Sequence, residues 1–337
     1  MAAEIAADKR VLAVIGRYSS NAYTSVTSVY KKYAIPVVTA SAIVSEKEAQ
    51  NEWYFSVVPD IAFQGSFIAN YAIGMLQYKS ACIIYEKTSY GTNLSSSFED
   101  TAGKLGIPIH RKWSFEAGNS SAQSEQIMQE LLALKDRGIV FVAAGSTESA
   151  KIVSVLKSKI PELPIIGSNS FTEDTFINEL KKNAPQSASD IYAVSYFIPD
   201  IAGETAYLFG KIFQTLWHEA PSPEAACYYD AAHILIEAIR NAEIRGEAGH
   251  IRGDRRKVRE ALAGFYRMEN SIGGVTGDIY FDSKGSAWKS LFVVRYENNS
   301  FVPAFSQYKN DRNRHYRKYI RKDPEREQYS DSWNSDE

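Results

Sequence analysis

The sequence predicts an α/β fold in which parallel sheets are covered by helices on both faces. Three observations predict it. Short apolar runs alternate with segments of helical periodicity along most of the chain. The runs are continuously apolar rather than alternating, the pattern of strands buried on both faces of a parallel sheet. A small polar group follows nearly every run. Strands that alternate with helices are joined by right-handed crossovers, and the result is a doubly wound sheet.

The elements follow in order. Residues 1–10 (MAAEIAADKR) carry acids and lack an apolar core, so they read as the end of an amphipathic helix and not as a secretory signal. The run 11–15 is all apolar and ends at Gly16. Ser19, Ser20 and Asn21 then stand where a helix N-cap belongs, ahead of a helix over 22–32. That arrangement suits a plain strand, cap and helix, or a cradle for a small anion. Further strands are expected over 35–39, 80–85, 139–143, 164–167 and 191–195. Helices are expected over 61–77, 93–105, 121–135, 149–157 and 171–181, with apolar stripes such as Ile127, Leu131, Leu134 and Ile152, Val155, Leu156.

The character changes after Pro199. Helices are expected over 204–219, 224–242 and 258–264, then a segment that alternates and turns over 273–285. Residues 291–296 and 301–305 read as a hairpin. From about Lys309 the chain is charged and poor in aliphatics, the composition of a disordered tail. Pro-Asp pairs at 59–60 and 199–200 mark two crossings between lobes. The expected division is 1–58 plus 199–275 for one lobe, 59–198 plus 276–308 for the other, and a tail over 309–337.

Composition narrows the function. The chain has 337 residues, 45% of them apolar, and a formal charge of −2, which exerts no net pull toward nucleic acid or an anionic membrane. No apolar run reaches the ~18 residues a membrane helix needs. Cys82 and Cys227 lie in apolar settings and read as buried free thiols. None of the five histidines stands at metal-ligand spacing from another His or a Cys. There is no nucleophile elbow, no Walker A pattern and no G-x-G-x-x-G; Gly273 and Gly274 read as structural. An enzyme is disfavoured, and no cofactor or metal is expected.

Binding is favoured by the polar groups beyond the strands. Ser19 and Ser20 follow the first; Thr39-Ala-Ser41-Ala42 follows the second. Tyr90 lies in the segment after the third, Ser146 after the fourth, and Ser168-Asn169-Ser170 after the fifth. Open parallel sheets bind ligands beyond the carboxyl ends of their strands. Hydroxyls and amides gathered there suit a small polar solute.

The order of these segments resembles a family. V-I-G-x-x-S-S, I-P-V-V-T-A-S-A, F-S-V-V-P-D-x-x-F-Q-G, I-I-Y-E-K-T-S-Y-G, Y-D-A-A and G-D-I-Y-F-D-S-K-G occur in that order between about residues 5 and 308. They resemble the type I periplasmic binding proteins of the leucine/isoleucine/valine-binding branch, the receptors of amino-acid ABC transporters. The resemblance implies two α/β lobes that close a hinged cleft on a ligand, an ABC permease as partner, a monomer, and a periplasmic or extracellular setting. Its rival is a ligand-sensing domain of a signalling receptor, which would use the same cleft.

Carried over by residue, Ser20 matches the serine that holds the ligand's α-carboxylate, with Ser19 beside it. Ser41, next to Ala42, matches the position whose backbone carbonyl takes the α-ammonium. Tyr90 matches the tyrosine that covers the ligand. Three positions depart: the family threonine is Ile43 here, a second tyrosine falls on Ser146, and the acid that pairs with the ammonium falls on Asn169. A charge-assisted hydrogen bond is worth ~1.5–3 kcal/mol and a neutral one about half that. Asn169 therefore leaves open an amide, a carboxylate without an ammonium, or another small polar solute. Glu173 and Asp174 read as early-helix acids favoured by the dipole. The resemblance also implies a strand, helix and strand, about 60 residues, ahead of this sequence. Without them the first strand is expected to show an open edge; the start then lies further upstream, or the gene is a remnant.

Overall fold

The computed structural model describes residues 2–16, 23–40, 42, 51–118, 120–183, 189–199 and 202–304. Residues 1–303 form one compact unit and 304–337 a second. The charged tail expected from Lys309 lies outside the described residues.

Two sheets organise the first unit. The smaller has the order β1-β2-β3, all parallel, from β1 (Val14–Gly16), β2 (Val37–Thr39) and β3 (Tyr54–Ser56). Around it lie α1 (Ala2–Ala7) and α2 (Tyr23–Lys32), with Ala6, Tyr30, Ile35, Val37 and Tyr54 as its buried cluster. The first strand departs from expectation. Val11 O is taken by Arg255 rather than by a ladder, so pairing begins only at Val14. Ile15 is 43% exposed, so this apolar run is not buried on both faces; β1 lies at the edge of its sheet.

Beyond β3 the chain enters the larger sheet through α3 (Ile61–Asn70), capped by Asp60 Oδ1 on Phe63 N and continued by a π turn over Tyr71–Met75. Next come β4 (Ala81–Glu86), α4 (Ser89–Lys104), β5 (Ile109–Phe115), α5 (Ser120–Ala133), β6 (Ile139–Ala143) and α6 (Ser146–Lys159). Then follow β7 (Ile165–Gly167), a 3-10 turn over Asn169–Thr172, α7 (Asp174–Asn183) and β8 (Ile191–Ser195). The expected helix over 171–181 is broken at Glu173, whose backbone is extended. The strand β5 escapes the apolar criterion because it lies at the sheet edge and carries His110, Arg111 and Lys112.

The last segment comprises α8 (Glu204–Trp217), α9 (Pro223–Asn241), α10 (Ile251–Gly264), a β9–β10 hairpin (Ile272–Gly274, Gly277–Ile279), β11 (Phe292–Glu297) and β12 (Ser300–Pro303). The helix α10 begins seven residues before the expected 258, because its first half is charged rather than apolar. The hairpin β11–β12 forms as expected, through Asn298 and Asn299 at positive φ. It joins β8 antiparallel, so the larger sheet is mixed, in the order β12-β11-β8-β7-β6-β4-β5.

Alternate residues of the larger sheet serve opposite faces. Cys82, Ile84, Val140 and Val142 join Leu131, Leu156 and Phe176 in one buried cluster. On the other face Phe141 stacks on Phe98 of α4 at 4.4 Å. Both cysteines are free and buried, as their settings predict.

Candidate functional site

In the larger sheet β4 lies between β5 and β6, so the chain leaves its carboxyl end first to one side and then to the other. Such a switch point opens a crevice beyond the strands. The loop after β4 leads into α4, capped by Thr88 Oγ1 on Gly91 N, and this puts Tyr90 in the helix's first turn. Gly91 is required: a Cβ there would stand 2.3 Å from Glu86 O and 2.7 Å from Ala143 O. The glycine lets the helix start seat directly on the ends of β4 and β6, which fixes where Tyr90 points.

The loop after β7 is built the same way. A Cβ at Gly167 would stand 2.3 Å from the Phe171 ring. With glycine, Phe171 tucks beneath the loop and stacks on Phe176 at 4.1 Å. Ser168 caps the 3-10 turn through Ser170 N. Asn169 is thereby held at the carboxyl edge, beside Tyr90.

These loops meet in one polar cluster. The Tyr90 hydroxyl donates to Ser168 Oγ at 2.8 Å. Ser168 Oγ is 2.9 Å from Ser170 Oγ, which donates to Ala144 O at 2.8 Å. Gln64, from α3, contacts the Tyr196 hydroxyl at 2.5 Å and the Asn169 amide at 3.2 Å. The Asn169 amide also lies 3.4 Å from the Tyr90 hydroxyl and 3.5 Å from that of Tyr196. Gln64, Ser168, Ser170 and Tyr196 are buried; Tyr90 and Asn169 are half-buried and form the cluster's outer edge. Burial pushes the pKa of both tyrosines up, so they stay neutral hydroxyls.

Of the expected site residues, Tyr90 and Asn169 are brought into contact. Ser146 is the half-buried first residue of α6, on the same carboxyl edge, outside this hydrogen-bond cluster. Ala42 is half-buried just beyond β2. Ser19, Ser20 and Ser41, together with Ile43, lie outside the described residues. The sequence reading missed Gln64 and Tyr196 as site residues. Gln64 had a signal: it shares a helix face with Ile61 and Ile68, where an apolar residue belongs. Tyr196 had none beyond its place next to a crossing.

Among the described residues no group of three or more His, Cys, Asp or Glu could hold a metal ion. No helix among them is long and apolar enough to cross a membrane. A groove of about 350 Å³ lies near Ser80, Gly138 and Pro164, at the amino ends of the strands and so at the opposite edge from the cluster.

Solved structures share this architecture. A leucine-binding protein, LivK, from Thermotoga maritima superposes with a TM-score of 0.76 at 21% identity, covering 90% of this chain and 81% of its own. The branched-chain amino acid transporter substrate-binding protein LivJ from Streptococcus pneumoniae, in complex with isoleucine, gives 0.75 at 22% identity, covering 90% and 82%. A solute-binding protein of an ABC transporter from R. palustris, in complex with benzoate, gives 0.74 at 14% identity, covering 90% and 80%. At these identities the likeness shows the fold. No curated protein matches the chain. The family model described as "Receptor family ligand binding region" matches residues 1–297, and the chain belongs to that family, with the fold of a type I periplasmic binding protein.

Proposed function

We propose that this protein captures a small polar solute in a cleft between two lobes and presents it to an ABC importer, outside the cytoplasmic membrane. The lobes are residues 1–58 plus 199–275 and residues 59–198 plus 276–308. Tyr90, Ser146 and Asn169 line the second lobe's wall; Ser19, Ser20, Ser41 and Ala42 supply the first lobe's. The ligand bridges both walls and favours the closed state by its higher affinity for it. The observation that carries this reading is the cluster of Gln64, Tyr90, Ser168, Asn169 and Tyr196. It gathers uncharged donors and acceptors from four elements at the switch point of a solute-binding fold. It contains no nucleophile–base pair, which suits binding rather than catalysis.

A thermal-shift screen tests the reading, with the amino acids, their amides, small carboxylates and benzoate as probes. A ligand at ~100 times its dissociation constant adds about 2.7 kcal/mol and raises the midpoint visibly. Tyr90→Ala and Ser20→Ala should each abolish the shift while leaving the ligand-free transition cooperative. A shift that survives in both variants would remove these residues from the site, and no shift across the panel would count against solute capture.

A further inference from the structure

The helix α8 carries more apolar side chain than the fold around it covers. Eight of its fourteen residues are apolar or aromatic, and its only charges are Glu204 and Lys211. A helix of that composition belongs in an interior, yet of its residues Ala206 alone is buried. The large apolar residues form two ladders at i, i+4 and i+8. One, Phe209, Phe213 and Trp217, starts against the fold: the Phe209 ring lies 6.4 Å from that of Phe197 and 4.8 Å from that of Tyr229 on α9. The other, Leu208, Ile212 and Leu216, lies about 100° further round the helix, and each member is at least half exposed.

These side chains make one patch. Trp217 is exposed at the end of its ladder, and Tyr229 and Ile236, which share a face of α9, are just under half exposed. Tyr229 touches Phe209 and so joins the exposed surfaces of the two helices. Six of the fourteen large apolar side chains exposed among the described residues stand here. Single exposed residues are ordinary, but a contiguous group marks an interaction site. Together the six leave roughly 600 Å² open, at the upper end for a monomer's largest patch and about three-quarters of the ~800 Å² each partner buries in a standard interface.

We infer that α8, with the adjoining face of α9, is the interface through which two copies of this chain form a two-fold dimer. The stripe itself points to a second copy. A two-fold contact needs a surface that fits itself. Turned end for end about Ile212, the stripe maps onto itself: Leu208 meets Leu216 of the partner subunit, and Ile212 meets Ile212 of the partner subunit. Such a row is an i±4n ridge, the kind that interdigitates with its like in the commonest helix packing. The row holds no charge, and Lys211 beside it lies over the Tyr207 ring at 4.7 Å, so two copies meet without burying like charges. Both helices fall in the segment 199–275 given to the first lobe. Under the solute-capture reading, a pair joined there leaves the second lobe free to close. The dimer departs from the monomer that the family resemblance implies, and it does not depend on which solute is bound.

Light scattering on the full chain as it elutes from a sizing column, at about 1–100 μM, tests the inference. A species of twice the chain mass is expected, with a share that grows with concentration. Ile212→Glu sets two carboxylates against each other on the axis and should weaken association at least about 100-fold. Leu132→Glu, at another exposed leucine on α5, should leave association unchanged. Cross-linking then fixes the position. Both native cysteines are buried, so mild oxidation should link two chains in Ile212→Cys and not in Leu132→Cys. A wild-type chain that stays monomeric at about 100 μM overturns the inference, the face being left to another part of the same chain or to another protein. An aggregate with no species at twice the mass overturns it as well. So does a dimer that survives Ile212→Glu, or one that Ile212→Cys fails to cross-link. None of these outcomes turns on ligand binding, so solute capture stands or falls separately.

Discussion

Ile15, at the middle of β1, is 43% exposed, whereas Ile83 of β4 and Phe141 of β6 are fully buried. The two sheets are held by different means. Around the larger sheet, apolar side chains from α5, α6 and α7 close over one face in a single continuous cluster. The smaller sheet has five buried residues in its cluster, and the helix α8, which packs in another small cluster with Phe197 and Val275, leaves Leu208, Ile212 and Leu216 at least half exposed. What supplements apolar packing there is charge held inside. Arg255 of α10 is buried and, among the described residues, donates to the backbone carbonyls of Ala6, Asp8, Val11 and Tyr33. Asp230 of α9 is fully buried and accepts from Val275 N at 2.7 Å and Thr276 N at 3.0 Å, with Lys289 Nζ 3.6 Å away. Where there is less apolar surface to bury, multidentate ions tie the elements together. Apolar burial tolerates local loss, but a buried ion deprived of its partner does not.

The sharpest way to break this contrast is Asp230→Ala. It strands the ammonium of Lys289, 2% exposed, and frees two buried N–H groups. A loss of about 3–5 kcal/mol in urea unfolding is expected. The double variant Asp230→Ala with Lys289→Met should lose less than the single one, since no uncompensated charge remains. A double variant as weak as the sum of its parts would show that Asp230 acts through the N–H groups alone.

Arg255 comes next. Its guanidinium reaches carbonyls from three directions, and burial pulls its pKa down without discharging it. Lysine cannot reproduce that fork, so Arg255→Lys should cost about 2 kcal/mol. Hydrogen exchange should rise over 2–16 and 23–39 and stay unchanged in β4, β6 and β7. Equal loss of protection in both sheets would mean that the two regions open as one unit.

The same contrast explains what could be read in the sequence. The strands at 81–86, 139–143, 165–167 and 191–195 were legible because they are covered on both faces and so are continuously apolar. The strand β3 was passed over because it lies directly before the Pro-Asp crossing at 59–60. The strand β5 was passed over because edge strands carry charge. Tyr90 and Asn169 were found through their place beyond strands and the family resemblance. Gln64 and Tyr196 join them from α3 and from beyond β8, and only the folded chain brings those elements together. Asp230 stood in a quoted motif, yet its role depends on Lys289 and Thr276, some fifty residues away in sequence, and no local pattern encodes such a partnership.

The smallest expected effect sharpens the comparison from the other side, because the larger sheet also holds one buried cation. Lys157 of α6 is 0% exposed and donates to Pro161 O at 3.0 Å and to the carbonyls of Leu163 and Ser189. Burial pulls its pKa down from 10.5 to about 8, against the weaker opposing pull of Asp190 and Glu162. Unlike Arg255, this cation can discharge. Between about pH 8 and 10.5 the unfolded chain holds the proton that the folded chain has released, so stability rises with pH through that window. The slope is at most about 1.4 kcal/mol per pH unit, and below pH 8 both states are charged and the contribution is flat. Urea unfolding at pH 7, 9 and 10.5 should therefore show wild type gaining on Lys157→Met as pH rises. Parallel curves would mean that the three carbonyls hold the ammonium charged throughout, and that Lys157, like Arg255, acts as a fixed charge.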